Sequence, residues 1–141
     1  MAAKRSTANY NNCNALKTAM LAKGLYPALK SDDVCYDGGI NDTHLLHGQA
    51  EDGWFRTLNI INGALSFDFI DPSDANIVRA WSVREVYVLA SQIEGVTSQS
   101  STLNGSTWTY SIVRNGTTYS KTGNSEANAA VQAFTGLVNA L

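Results

Sequence analysis

An α+β fold is predicted for this chain: an antiparallel sheet of about five strands built from two β-hairpins, with N- and C-terminal helices packed on it. Three observations predict it. Two runs of strand-like residues are each interrupted by an Asn-Gly pair, Asn62-Gly63 and Asn115-Gly116, the strongest short-range hairpin signal. Apolar residues recur at helical spacing near both ends of the chain. With 141 residues, 44% of them hydrophobic, there is material for one real core, so residues 1–141 are read as a single domain.

Taken in order, Thr7 is placed to cap a helix running to about Lys23. Tyr10, Cys13, Leu16, Met20 and Leu21 form its apolar side, and Gly24 is a natural residue just past its end. Residues 26–53 read as a long acidic loop with a few short extended pieces, and loops of that length are usually functional. In the first hairpin a two-residue loop fixes the register. It sets Ile60 opposite Leu65, Leu58 opposite Phe67 and Arg56 opposite Phe69 on an apolar face, with Asn59/Ser66 and Thr57/Asp68 on the polar one.

Asp71 and Pro72 then suit the cap and first position of a short helix over 73–81. The β-branched and aromatic content of residues 83–91 favours a strand there. Residues 94–107 read as a polar, flexible connector. The second hairpin sets Ile112 opposite Tyr119 and Tyr110 opposite Lys121, so Trp108, Tyr110, Ile112 and Tyr119 share a face. Asn124 or Ser125 caps the last helix, whose stripe is Ala127, Ala130, Val131, Phe134, Leu137, Val138 and Leu141. The words "SDAN" (73–76) and "SEAN" (125–128) follow the two hairpins at similar distances, which suggests a degenerate repeat of hairpin–helix units at about 54–81 and 107–141.

Composition narrows the function. A net charge of −2 is of the wrong sign for a general nucleic-acid binder. No apolar run approaches the roughly 18 residues of a membrane span, and "MAAKRSTANY" lacks the apolar core of a signal peptide. Cys13 and Cys35 carry no zinc spacing and suit reduced thiols. These points favour a cytoplasmic protein or a virion component. Asn, Ser and Thr supply 38 of 141 residues, so the surface is wetted largely by uncharged groups. Charge is segregated: Lys4, Arg5, Lys17, Lys23 and Lys30 precede residue 31, and Asp32, Asp33, Asp37, Asp42, Glu51 and Asp52 follow it. The two blocks can pair within one chain or between subunits of a homo-oligomer.

Residues 107–135 carry a family likeness. An aromatic strand with Trp108, the turn Asn115-Gly116, the run Ser120-Lys121-Thr122-Gly123 and a helix starting at Glu126-Ala127 follow one another. This segment resembles the three-stranded, AP2-like arm domains at the N-terminus of phage integrases. The resemblance implies a hairpin packed on a helix and a phage or mobile-element origin. In that family the exposed sheet face is cationic and lies in a DNA groove; here Thr109, Ser111, Val113, Thr118, Ser120 and Thr122 make it neutral, so nucleic acid is not expected as partner.

Two constellations remain. Arg56 stands on the apolar face of the first hairpin with Trp54 and Phe69, and Lys121 holds the matching place in the second with Trp108 and Tyr110. A cation among aromatics can hold a polar or anionic ligand, or can simply reach water along its stem. His44 and His47 are spaced i,i+3 with Asp42 nearby, which fits either a metal pair or a polar loop. No nucleophile elbow, P-loop, dinucleotide fingerprint or zinc-protease motif is present, and no metal or cofactor is expected. The expectation is a non-catalytic, oligomeric binding protein of phage or mobile-element type, taking a protein partner or a small polar ligand. The alternatives are a virion assembly or decoration protein and a small hydrolase using the His44/His47 loop.

Overall fold

The computed structural model describes residues 6–30, 33–38, 45–46, 55–61, 63–71 and 73–141, those at 45–46, 55–61 and 65–70 as backbone. In chain order the elements are α1 (Tyr10–Ala22), β1 (Cys35–Asp37), β2 (Leu45–Leu46), β3 (Phe55–Ile61), β4 (Ala64–Ile70), β5 (Ile77–Arg79), α2 (Val83–Ser91), β6 (Val96–Asn104), β7 (Thr107–Arg114), β8 (Thr117–Gly123) and α3 (Glu126–Asn139). They fall into two compact units, one made of Met1–Tyr26 and Trp81–Leu141, the other of Pro27–Ala80. The α+β class and both hairpins stand. The five hairpin-block strands are divided between a two-stranded sheet, β3-β4, and a three-stranded sheet, β6-β7-β8.

In the first unit α3 lies on β7 and β8, and α1 and α2 pack against α3. Ser125 is the cap of α3, its hydroxyl accepting from the Asn128 N–H. Ala127, Ala130, Val131, Phe134, Leu137 and Val138 are buried along α3 as the stripe predicts, while Leu141 lies beyond the helix and is exposed. The helix comes so close to β8 that a Cβ on Gly123 would stand 2.8 Å from the Ala129 backbone nitrogen. Helix α1 is capped by Asn9 and not by Thr7. The Ala8 N–H is taken by the Trp81 carbonyl (2.9 Å), and the Asn9 side chain then accepts from Asn12 N–H. Gly24 ends it with a φ of +69°, and its N–H bonds to the Leu21 carbonyl. Cys13, Leu16, Ala19 and Met20 are its buried side; Leu21, 57% exposed, stands outside it.

Both hairpins have the register expected of them. Ile112 pairs with Tyr119 and Tyr110 with Lys121, and in the other hairpin Arg56 pairs with Phe69 and Ile60 with Leu65. The turn residues Asn115 (φ +50°) and Gly116 (φ +79°) supply the left-handed pair that a type I′ turn needs.

Three expectations are overturned. Residues 83–91 are a helix, because Ser82 and Glu85 form a reciprocal capping box: the Ser82 hydroxyl accepts from Glu85 N–H, and the Glu85 carboxylate accepts from Ser82 N–H. Residues 73–81 hold no helix. Asp71 and Asp74 turn their carboxylates onto the N–H groups of Ser73 and Asn76, which closes local turns in place of a helical one, and Ile77–Arg79 then pairs with β1. The first hairpin is therefore followed by a strand, and the repeat does not extend to its "SDAN". Pro72 lies outside the described residues. Finally, residues 96–104 are not a connector but the nine-residue strand β6.

In the second unit β1 is flanked by β2 and β5, all antiparallel. Cys35 and Ile77 form a small buried core with Leu29 against it, and Arg79 pairs with Asp33 at 3.3 Å. Both cysteines are buried thiols, and neither is in a disulfide. No helix among the described residues is long and apolar enough to cross a membrane.

Candidate functional site

A concavity in the first unit lies between α2 and β6. It has a volume of about 380 Å³ and is lined by Val83, Arg84, Tyr87, Gln99, Ser100, Ser101 and Tyr110. The capping box sets it up. By starting α2 at Val83, it places Val83, Arg84, Tyr87 and Ser91 along one side of the helix, while Val86 and Ala90 point into the core.

Gln99 holds strand and helix together. Its amide nitrogen donates to the Tyr87 carbonyl (3.0 Å) and to the Ser91 hydroxyl (2.9 Å), and its amide oxygen accepts from the Tyr110 phenol at 2.7 Å. The Ser101 hydroxyl donates to the Glu126 carboxylate at 2.5 Å, linking β6 to the first turn of α3. Polar atoms on the floor are thus tied to one another. On the rim, Tyr87 is 52% exposed, and the exposed Arg84 makes no ion pair among the described residues.

Tyr110 is buried at 3% exposure, and its phenol is pushed up to about 12, first by burial and then by the nearby Glu126 and Tyr87. Burial also pushes the Cys13 thiol up to about 12, against a lowering hydrogen bond from the Trp81 N–H and with a further raising contribution from Glu85. In both cases the fold holds a proton that the unfolded chain releases earlier, near pH 10.0 for the phenol and 9.0 for the thiol. Their contribution to stability is complete below those values and is lost as pH rises toward 12. Thermal melts at increasing pH will therefore show Tm falling from about pH 9 upward, and Tyr110→Phe will blunt the upper part of that fall. A flat Tm between pH 9 and 12 would contradict both assignments.

Of the residues singled out from sequence, Trp108, Tyr110 and Lys121 share the helix-facing side of the β6-β7-β8 sheet. Tyr110 and Lys121 are paired across strands, and Trp108 pairs with Leu103 and Gly123. Tyr110 reaches the groove; Trp108 is half-buried and Lys121 exposed. Arg56 and Phe69 are cross-strand partners by backbone register in the second unit. Trp54, His44, His47 and Asp42 lie outside the described residues, as do the side chains of Arg56 and Phe69. Sequence reasoning missed Val83, Arg84, Tyr87, Gln99, Ser100 and Ser101, because it assigned their segments to a strand and a connector. The signal that exposes them is the S-x-x-E word Ser82–Glu85.

The opposite face of the same sheet is built from Ser98, Ser100, Thr102, Thr107, Thr109, Ser111, Val113, Thr118, Ser120 and Thr122 and carries no cation. Arg114 and Lys121 fall on the helix-facing side by register, and the Arg114 guanidinium donates to the Glu94 carbonyl at 2.8 Å. Comparison with protein-family models, with characterised proteins and with solved structures finds no match to this chain.

Proposed function

We propose that this is a non-catalytic binding protein that takes an acidic group into the groove between α2 and β6. The observation that carries this reading is Arg84: an exposed guanidinium on the rim of a groove of mixed lining, without an ion pair among the described residues and one helical turn from Tyr87. A planar guanidinium suits a carboxylate, and the tyrosine gives a flat apolar wall for the rest of the ligand. Pockets of this size and mixed lining are typical of small-ligand or side-chain recognition. The floor favours binding over turnover. Its phenol is held protonated far above neutral pH, and its half-buried Ser101 faces a carboxylate, a base much weaker than a histidine. The neutral Ser/Thr face of the sheet speaks against a phosphate backbone as ligand.

The test is an NMR titration with glutamate blocked at both ends, against blocked glutamine. Glutamate is expected to shift the Arg84, Tyr87 and Ser100 signals, glutamine to shift them little, and Arg84→Gln to weaken glutamate binding at least about ten-fold, a loss of roughly 1.4 kcal/mol. The effect should fade with added salt. Equal responses to both compounds, or to both proteins, would sink the reading.

A further inference from the structure

We infer that the natural occupant of this groove is an extended peptide of a partner protein, added to the free edge of β6 as a fourth strand with an acidic side chain turned to Arg84. The inference rests on the acid-binding reading and goes beyond it by making backbone hydrogen bonds the main contact.

β6 is an edge strand, and β7 is its only strand partner among the described residues. The two-residue turn Gly105-Ser106 makes Asn104 and Thr107 the pair that exchanges both hydrogen bonds. By alternation Thr102 and Ser100 also bond to β7. Gln99, Ser101 and Leu103 therefore turn their N–H and C=O groups to the open edge, where they form a template for another strand.

The groove runs along that edge. Successive strand residues face opposite sides, yet Gln99, Ser100 and Ser101 all line it. A smaller hollow of about 80 Å³ continues it, lined by the consecutive residues Val96, Thr97, Ser98 and Gln99 together with Tyr87 and Ser91. The three consecutive residues Gln99–Ser101, beyond the bulge between Val96 and Ser98, place the larger hollow beside the strand's backbone and not on one of its faces. Helix α2 forms the other wall, with Tyr87 common to both hollows. A trough between an edge strand and a helix is suited to strand addition, where main-chain bonds give affinity and alternate side-chain pockets give selectivity.

The two edges of the sheet are also treated differently. β8 carries Lys121, and its Thr122 carbonyl is occupied by the Gln132 side chain at 3.0 Å. β6 has neither charge nor proline in its nine residues, and its bulge, between Val96 and Ser98, lies at its start and leaves Gln99–Leu103 regular. Leu103, 54% exposed, offers apolar contact beside it. Charge selects the occupant: a second copy of β6 would bring no acid to Arg84, whereas an acidic peptide brings one.

The test is selection from a displayed library of random nine-residue peptides against the whole protein, followed by N-methylation of each amide of the best binder in turn. The expected result is a consensus with one acidic position, binding at least ten-fold weaker to Arg84→Gln, and losses of about ten-fold or more at every second methylated amide. Acid-dependent binders whose affinity shows no two-residue periodicity would overturn strand addition while leaving the acid-binding reading in place. Binders without an acidic position, or no binders beside the glutamate response described above, would overturn the peptide as occupant. Loss of that glutamate response as well would take the underlying reading with it.

Discussion

Phe134→Ala will destabilise the protein by about 3–5 kcal/mol, the usual cost of emptying a buried aromatic site. Phe134 is 1% exposed on α3, the helix that packs against β7, β8, α1 and α2 alike. The hole it leaves cannot be closed by sliding α3 toward the sheet, because Gly123 already lets the helix backbone approach as nearly as it can. Domains of this size have about 5–15 kcal/mol in total, so the variant will sit close to unfolding. Urea denaturation should show a lower midpoint with an unchanged slope. Tyr87→Ala is the control: the ring is 52% exposed, and its loss should cost no more than about 0.5 kcal/mol. A loss below about 1 kcal/mol for Phe134→Ala would mean that α3 is not the centre of this core.

The parts of the fold legible in the sequence are those where local chemistry and burial pattern agree. The Asn115-Gly116 turn demanded two left-handed residues, and the alternation around it then left one register; the stripe from Ala127 to Val138 has no competing reading. Legibility failed where the burial pattern was silent. β6 is polar on both faces, Ser98 and Thr102 on one and Gln99 and Ser101 on the other, so no period of two is visible in it. Its strand character comes from pairing with β7, a tertiary contact that composition does not encode. In residues 83–91 the apolar residues surround the helix, with Val86 and Ala90 buried but Tyr87 and Val88 exposed, and this masks the helical period. The capping box outweighed the β propensity of three valines and a tyrosine. The candidate groove is made of these two segments, which is why the sequence pointed instead to the aromatic faces of the hairpins.

Asn128→Ala is the second large effect, about 2–4 kcal/mol, and it accounts for part of the unusual asparagine content. Asn128 is a polar residue only 8% exposed, in the first turn of α3. Its side-chain oxygen accepts from the Asn9 N–H (2.8 Å) and the Asn12 amide (3.2 Å) at the start of α1, and its amide nitrogen donates to Asn124 at 2.7 Å. One uncharged side chain therefore ties the N-terminal turns of two helices together, and truncating it strands the donors of Asn9 and Asn12 without an acceptor. Asn128→Asp separates the parts of this effect. It keeps the acceptor, and the positive end of α3 favours a carboxylate there, so its cost at neutral pH should be about 1 kcal/mol, from the lost bond to Asn124. Both donors and the helix end hold the introduced carboxylate below its ordinary range, so its contribution is present above the unfolded-state value and is lost as pH falls through the folded one. Chemical denaturation at pH 7 and pH 4 reads both terms. Equal losses for the alanine and aspartate variants at pH 7 would show that the seam depends on the donor to Asn124 and not on the acceptor facing α1.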